Sequence, residues 1–248
     1  MALVWHKQVG DSRYEVRSHG ATVRLYSNGV FHSQWNPNDP LKGSLWELLF
    51  LPVFFLPQGQ VRRVLILGVG GGALIRLLQR FIAPETIVGV DIDRHHLTVA
   101  RRFFGVRGAE LICADAREFV AEQGADEGSA PFDVIVDDLF GHSDGVAERA
   151  IAADPAWCMR LMNLLSPDGL VVSNFGSRQE LRASGWRTPA LRQQLQGAWS
   201  AELPEYENSI GIFSRSPLHR KALAEHAPGA INPGNPSRRL SARLTRLR

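Results

Sequence analysis

The residues best suited to chemistry are acids that end short apolar runs, next to a cluster of glycines. Residues 64–73 read VLILGVGGGA and residues 88–93 read VGVDID, so Asp91 ends the second run. Glycines let the backbone turn tightly and approach a ligand, and an acid about twenty residues later can accept hydrogen bonds from two ribose hydroxyls. We therefore predict that the chain binds an adenosine-type cofactor. The glycines expected to contact it are Gly68, Gly70 and Gly72.

Two further acids follow later apolar runs. Asp115 comes after the run 109–113, and Asp137 ends the run 132–137. Ligands of open parallel sheets bind at the carboxyl ends of the strands, where these acids would lie. A carboxylate at that edge can bind a cationic nucleophile and accept its proton. The sequence therefore predicts that the reacting group and the cofactor meet at one edge of a sheet.

Apolar runs and amphipathic segments alternate between residues 63 and 174. The runs predict strands over 63–68, 86–91, 109–113, 132–137 and 168–174, with helices over about 73–82, 93–104, 115–123 and 154–165. This alternation is typical of a parallel sheet with helices on both faces. A closing antiparallel pair is predicted over 199–204 and 208–214. The fold class predicted is α/β, with a doubly wound, mostly parallel, seven-stranded sheet of the methyltransferase type.

Three parts follow one another along the 248 residues. Residues 1–40 contain β-prone segments and the hairpin dipeptide Asn28-Gly29, which predict a small antiparallel β-unit. Residues 41–216 are predicted to form the cofactor-binding domain, and a helix over 41–56 leads into it. Residues 217–248 form a basic tail.

The tail carries seven Lys/Arg and one Glu, so the rest of the chain has a net charge near −3. Leu240, Leu244 and Leu247 recur at helical spacing. They predict a terminal helix over 238–248 that packs its leucines and leaves its arginines in solvent. The alternative is an arm that binds nucleic acid or phosphate. Because the positive charge is confined to the tail, we do not expect a nucleic-acid partner.

Composition limits the cellular setting. No apolar run approaches the ~20 residues that span a bilayer, and the N-terminus lacks a signal-peptide pattern. Cys113 and Cys158 each lie in an apolar pattern without metal-ligand spacing, which predicts buried free thiols and no metal site. His95 and His96 are predicted on a helix surface. We expect a cytoplasmic protein with no membrane partner.

Several sequence segments together resemble the spermidine synthase-like branch of the class I S-adenosylmethionine-dependent transferases. The resemblance covers about residues 20–215 and includes VLILGVGGG, VDID, ADAREF and FDVIVD. It implies that Asp91, with Ile92 beside it, holds the cofactor ribose. It also implies that Asp115 and Ala116 lie beside the adenine. Asp137 matches the aspartate that helps to deprotonate the attacking amine in aminopropyltransferases, and it would also line the cofactor site.

The chain departs from that family pattern at several positions. Gly71 stands where the family's glycine loop carries an acid, and Phe140 replaces the second acid after the fourth strand. Leu45-Trp46 replaces a Tyr-His pair, and His32 replaces a glutamine. A polyamine is a flexible polycation that needs several carboxylates along its channel. These departures predict weak binding of ordinary polyamines.

Three functions follow from these observations. The leading hypothesis is methyl transfer from S-adenosylmethionine. The first alternative is aminopropyl transfer from decarboxylated S-adenosylmethionine to an unusual amine, and the second is a non-catalytic cofactor-binding module. Three or more acids facing the cofactor's sulfur would favour aminopropyl transfer, whereas a short apolar pocket would favour methyl transfer. The acceptor, a small molecule or a protein, is left open, and so is a homodimer.

Overall fold

The computed structural model describes residues 1–143 and 146–247. Its N-terminal part is a four-stranded antiparallel sheet. The strands are β1 (Ala2–Val9), β2 (Ser12–His19), β3 (Thr22–Ser27) and β4 (Val30–Trp35). The predicted β-unit is present, and β1 is a strand that the sequence pattern did not indicate. Because β1 is exposed along nearly its whole length, it has no alternation between buried and exposed residues to reveal it.

The main sheet has eight strands, and all the strands predicted for it are found. They are β5 (Arg63–Leu67), β6 (Thr86–Asp91), β7 (Glu110–Cys113), β8 (Phe132–Asp137), β11 (Leu165–Phe175), β12 (Gly197–Glu202), β13 (Ser209–Ser214) and β14 (Arg243–Arg246). Their order is β14-β12-β13-β11-β8-β5-β6-β7. Strands β7, β6, β5, β8 and β11 are parallel, and β13 is antiparallel to both β11 and β12. A separate hairpin joins β9 (Phe140–Ser143) to β10 (Val146–Arg149).

Helices cover both faces of this sheet. They are α1 (Leu45–Phe50), α2 (Ala73–Phe81), α3 (Arg94–Arg102), α4 (Ala116–Ala125), α5 (Pro155–Asn163), α6 (Arg178–Ala183), α7 (Pro189–Arg192) and α8 (Arg220–His226). The four helices predicted between the strands are α2 to α5. The helix predicted over 41–56 is shorter: α1 ends at Phe50, and a 3-10 turn over Leu51–Phe55 follows it, with Pro52 as its second residue. Proline lacks the N–H that would continue the α-helical bonding.

Two apolar cores lie on opposite faces of the sheet. One holds Val134 and Val136 of β8 and extends to the N-terminal sheet, whereas the other holds Ile135 and the apolar face of α5. Cys158 is buried in the second core as predicted, but Cys113 is exposed because it ends the edge strand β7. Both thiols are free. Within the described residues, no helix is both long enough and apolar enough to cross a membrane.

The tail differs from its prediction. Instead of a helix over 238–248, residues Arg243–Arg246 form β14, which pairs with the edge of β12. Arg248 lies outside the described residues. Leu240 is fully buried and Leu244 is half-buried, so the leucines do dock. The edge of β12 offers unpaired backbone groups, and hydrogen bonds to them stabilise a strand here in place of the helix that the leucine spacing predicts. The local sequence of the tail does not show that this edge is free.

Removal of the tail should destabilise the protein. Truncation after Asn235 deletes β14 and exposes the core around Leu240, and Gly43 loses its close contact with the backbone of Arg239. Burial of one leucine alone contributes about 1.5–3 kcal/mol. We expect a lower melting temperature, measured by differential scanning fluorimetry, without a change in cofactor affinity. An unchanged melting temperature would contradict the docked position of the tail.

Candidate functional site

The site is built at the carboxyl ends of β5, β6, β7 and β8. These strands run in parallel, so the residues that follow them share one edge of the sheet. Gly68 follows β5, Ile92 follows β6, Asp115 follows β7 and Asp138 follows β8. The predicted candidate residues are therefore brought to one edge, and Asp138 joins them.

The glycine loop has a conformation that favours glycine. Gly68, Gly70 and Gly72 have φ values of 91°, 52° and 82°, in the left-handed region that other L residues rarely adopt. A Cβ on Gly68 would also collide with the backbone carbonyl of Asp138. A Cβ on Gly70 would lie 3.2 Å from the carbonyl oxygen of His32 in β4. The loop is therefore approached closely by β4 and by the segment that follows β8.

Asp91 holds the glycine loop in place. Its Oδ2 accepts hydrogen bonds from the backbone N–H groups of Val69 (3.0 Å) and Gly70 (2.9 Å), and its Oδ1 accepts one from Asp93 (2.8 Å). The side chain is buried at the end of β6. The structure thus shows a structural role for Asp91, and its role toward a ribose stays a prediction.

A buried histidine connects the N-terminal sheet to this edge. His96 Nδ1 lies 3.4 Å from Asp91 Oδ2, and its Nε2 lies 2.9 Å from the hydroxyl of Ser27. Tyr14 donates a hydrogen bond to Asp93 Oδ2 at 2.6 Å. The surface position predicted for His96 is therefore wrong, because the N-terminal sheet packs over α3.

Charge pairing shifts the pKa values in this junction. Burial alone would lower the pKa of His96, but the adjacent carboxylates of Asp91 and Asp93 raise it above its ordinary value. Burial alone would raise the pKa of Asp91, yet His96 and the backbone donors lower it. Asp91 is therefore a carboxylate at neutral pH.

The residues predicted to lie beside the adenine differ in their exposure. Ile92 is 73% exposed, which is unusual for a large apolar side chain and leaves a surface on which a flat base can pack. Asp115 is half-buried and caps α4 by accepting a hydrogen bond from the backbone of Arg117 at 2.7 Å. Ala116 is buried beneath it. The roles of Ile92, Asp115 and Ala116 toward an adenine stay predictions.

The carboxylate of Asp137 is held inside the protein. Its side chain is fully buried, and its Oδ2 accepts a hydrogen bond from the Arg149 guanidinium. Trp157 Nε1 and the Ser173 hydroxyl also lie 3.4 Å and 3.2 Å from that oxygen. Through Oδ2 its carboxylate ties β8 to β10 and α5, and its role as the proton acceptor stays a prediction.

The side chain of Asp138 lies on the opposite face of the sheet from that of Asp137. Side chains alternate along β8, so Val134 and Val136 face the core beneath the glycine loop and Asp138 continues that row. Its carboxylate is half-buried and accepts a hydrogen bond from Asn174 at 2.8 Å. Burial and the nearby Asp137 raise the pKa of Asp138 to about 6. The alternation rule, applied to the sequence, could have identified this residue.

Packing explains one departure from the family pattern, and it also engages an acid that the chain shares with the family. A Cβ on Gly71 would lie 2.6 Å from Phe104 Cζ and 2.7 Å from Ser33 Cβ, so no acid fits there. Glu47 is buried in a capping box with Ser44 at the start of α1, where burial raises the pKa of its carboxyl. Asp144, an acid in the segment that follows the predicted strand 132–137, lies outside the described residues. Within those residues, no group of His, Cys, Asp and Glu is arranged to hold a metal ion.

The sequence comparisons agree with this geometry. Residues 48–183, more than half of the chain, match the model of the spermine/spermidine synthase domain. The chain belongs to this family. A polyamine aminopropyltransferase of Pyrobaculum neutrophilum is 30% identical over 191 residues, which are 73% of this chain and 62% of that relative. The chain therefore spans less than two thirds of the length of that relative.

Solved structures share the fold of this spermine/spermidine synthase domain. A probable spermidine synthase from Corynebacterium glutamicum superposes with a TM-score of 0.74 at 17% identity, covering 99% of this chain and 91% of the other. Human methyltransferase-like protein 13 in complex with SAH gives a TM-score of 0.63 at 20% identity, covering 73% and 88%. At these identities the likeness shows the fold alone. The predicted α/β sheet of the methyltransferase type is confirmed.

Loss of the Asp91 carboxylate should affect both the ligand and the loop. Asp91→Ala removes the acceptor of three backbone hydrogen bonds and any bond to a ribose. Hydrogen bonds to charged groups contribute about 1.5–3 kcal/mol each, so cofactor affinity should fall at least about tenfold. Calorimetry of the variant measures this loss. A melting curve should also show destabilisation, because the glycine loop loses its hydrogen-bond acceptor. Unaltered cofactor affinity would contradict the site.

Proposed function

We propose that the chain is an aminopropyltransferase that uses decarboxylated S-adenosylmethionine and an amine acceptor. The single observation that carries the proposal is Asp138, a half-buried carboxylate of raised pKa at the strand end beside the glycine loop. Relatives named polyamine aminopropyltransferase support it, and they favour an enzyme over a non-catalytic module. The methyl-transfer hypothesis has only a fold-level likeness behind it.

Groups of this chain would hold the cofactor at the strand edge. The loop of Gly68, Gly70 and Gly72 lets the backbone approach the ligand, and Asp91 fixes that loop. Ile92, Asp115 and Ala116 would hold the adenine. When bound, the cofactor supplies a carbon activated by its positive sulfur, so the protein has only to position the nucleophile and exclude water.

Asp138 would bind and deprotonate the amine. An ammonium group has no lone pair, so it must lose a proton before its nitrogen can attack. With a pKa of about 6, Asp138 is ionised at neutral pH and a stronger base than an ordinary aspartate. The hydrogen bond from Asn174 orients its carboxylate, and Asn208 donates in turn to Asn174 at 3.0 Å.

The acceptor is proposed to be a short amine. Gly71 and Phe140 stand at positions of acids in the family, and Glu47 is engaged as a helix cap. One carboxylate can hold a single ammonium but not both ends of an extended diamine. We therefore expect putrescine and spermidine to be poor acceptors compared with shorter amines, measured as initial rates across an amine panel. Efficient spermidine formation from putrescine would refute this substrate class.

Calorimetry with the two cofactors tests the proposed donor. Decarboxylated S-adenosylmethionine should bind the full chain more tightly than S-adenosylmethionine, because the carboxylate of the latter would approach Asp138. NAD serves as the control nucleoside and should not bind. Preference for S-adenosylmethionine would favour methyl transfer instead, and tight binding of NAD alone would reject this cofactor class.

A further inference from the structure

Asp91, the carboxylate that holds the glycine loop, is itself held from the N-terminal sheet through His96. The side chain of His96 projects from α3 and is 11% exposed. Its Nδ1 lies 3.4 Å from Asp91 Oδ2, the same oxygen that accepts the backbone N–H groups of Val69 and Gly70. The imidazole and the glycine loop therefore meet at a single carboxylate oxygen.

The other nitrogen of the imidazole contacts the N-terminal sheet. His96 Nε2 lies 2.9 Å from the hydroxyl of Ser27, which is almost fully buried in β3. The rings of Tyr14 in β2 and His32 in β4 pack on the imidazole, with centroids 6.0 Å and 5.0 Å from its own. Three strands of the N-terminal sheet thus fix the position of this side chain.

The charges around the imidazole favour its contact with Asp91. The carboxylates of Asp91 and Asp93 face the ring, at 3.4 Å and 3.9 Å, and they raise the pKa of His96. A ring nitrogen that faces a carboxylate carries the proton, so Nδ1 donates to Asp91 whether the ring is neutral or an imidazolium ion. The contact is therefore available throughout the neutral pH range.

The glycine loop depends on contacts of this kind to hold one shape. Glycine loses more conformational freedom on ordering than any other residue, and three glycines of this loop have positive φ values. Two backbone N–H groups of the loop bond to Asp91 Oδ2. Without His96 this buried carboxylate would lose a donor and the contact that fixes its position. A ligand would then have to order the loop as it binds, at a cost in affinity.

We propose that His96 is a positioning residue for the cofactor, which acts through Asp91 to keep the glycine loop in the shape that receives the ligand. The ligand is the one named in the proposed function, on which this inference rests. The N-terminal sheet then takes part in cofactor binding, because Ser27 holds His96 from β3. Side chains that support a binding group in this way set how precisely it is placed.

Hydrogen exchange on the ligand-free full chain tests the effect on the loop. His96→Leu removes both ring nitrogens, whereas His96→Gln keeps an N–H donor. We expect the amides of Val69 and Gly70 to exchange at least about tenfold faster in His96→Leu, and within about threefold of the unmodified chain in His96→Gln. Unchanged exchange in His96→Leu would overturn the proposal. So would an equal rise at Ile66, in the core of β5, because it would mean a general loss of stability.

Calorimetry with decarboxylated S-adenosylmethionine tests the effect on the ligand. Affinity should fall about tenfold in His96→Leu and about threefold in Ser27→Ala, while kcat at saturating substrates stays within about twofold. Ser27→Ala leaves the imidazole in place and keeps the test decisive if His96→Leu does not fold. In an Asp91→Asn background, His96→Leu should cause little further loss, because the carboxylate through which it acts is gone. Additive losses, or unaltered affinity, would contradict the proposal.

The matched control is His95→Leu, which changes the neighbouring histidine of α3, whose ring lies 5.0 Å from that of Tyr14. Its loop exchange and affinity should stay within about twofold of the unmodified chain, and effects equal to those of His96→Leu would overturn the proposal. If the unmodified chain binds neither decarboxylated S-adenosylmethionine nor S-adenosylmethionine, the proposed function fails. The exchange of the Val69 and Gly70 amides then decides the role of His96 at the loop.

Discussion

Asp138→Asn should lower the rate of group transfer about 100-fold or more at neutral pH and leave cofactor affinity within about twofold. The amide keeps the shape of the side chain and can still bond to Asn174, but it cannot accept a proton from an ammonium group. General base catalysis contributes about 10²–10⁴-fold. Initial rates at saturating acceptor, together with calorimetric affinities, separate the two effects.

The pH dependence gives a second readout of the same residue. Because the pKa of Asp138 is raised to about 6, its basic form is lost as pH falls through that value. We expect kcat/KM of the unmodified chain to decline below about pH 6. Asp126→Asn, which alters an exposed acid at the end of α4, should keep this profile and full activity. Full activity of Asp138→Asn would exclude this residue as the base.

Asp137→Asn should destabilise the fold. The variant removes the buried countercharge of the buried Arg149 guanidinium and leaves only Glu180, a more exposed acid whose Oε1 lies 3.9 Å from Arg149 Nε. Breaking one partner of a buried ion pair costs about 3–5 kcal/mol. At about 2–4 °C per kcal/mol for a chain of this size, the melting temperature should fall by roughly 10 °C. Urea denaturation measures the free energy of unfolding directly.

The matched control is the double variant Asp137→Asn/Arg149→Met, which removes both charges. It should be more stable than Asp137→Asn alone, because no unpaired charge is left in the core. The sequence-based interpretation of Asp137 as the base predicts instead that Asp137→Asn loses activity and keeps its stability. A loss of activity of about 100-fold in Asp137→Asn, with an unchanged free energy of unfolding, would restore that interpretation.

The sheet and its cofactor edge could be predicted because the signals are local. Each strand is a short apolar run, and the glycine loop and Asp91 follow such runs at a characteristic spacing. The sequence also allows a prediction of which acid, Asp137 or Asp138, faces away from α5. Because side chains alternate along a strand, Ile135 and Asp137 must share one face, and that face is covered by α5.

Other features depend on partners far away in the chain. His96 is buried by the N-terminal sheet, 69 residues earlier at Ser27, so its helical surroundings alone do not reveal its environment. The tail strand β14 needs the free edge of β12. Local periodicity carries no information about these pairings, because it describes only one element at a time.

The most direct test of the central claim is product detection by mass spectrometry. The full chain is incubated with decarboxylated S-adenosylmethionine or S-adenosylmethionine and a panel of short amines, with Asp138→Asn in parallel. We expect an aminopropylated amine from the decarboxylated donor, formed about 100-fold more slowly by the variant. Methylated products from S-adenosylmethionine, with none from the decarboxylated donor, would contradict the proposed function.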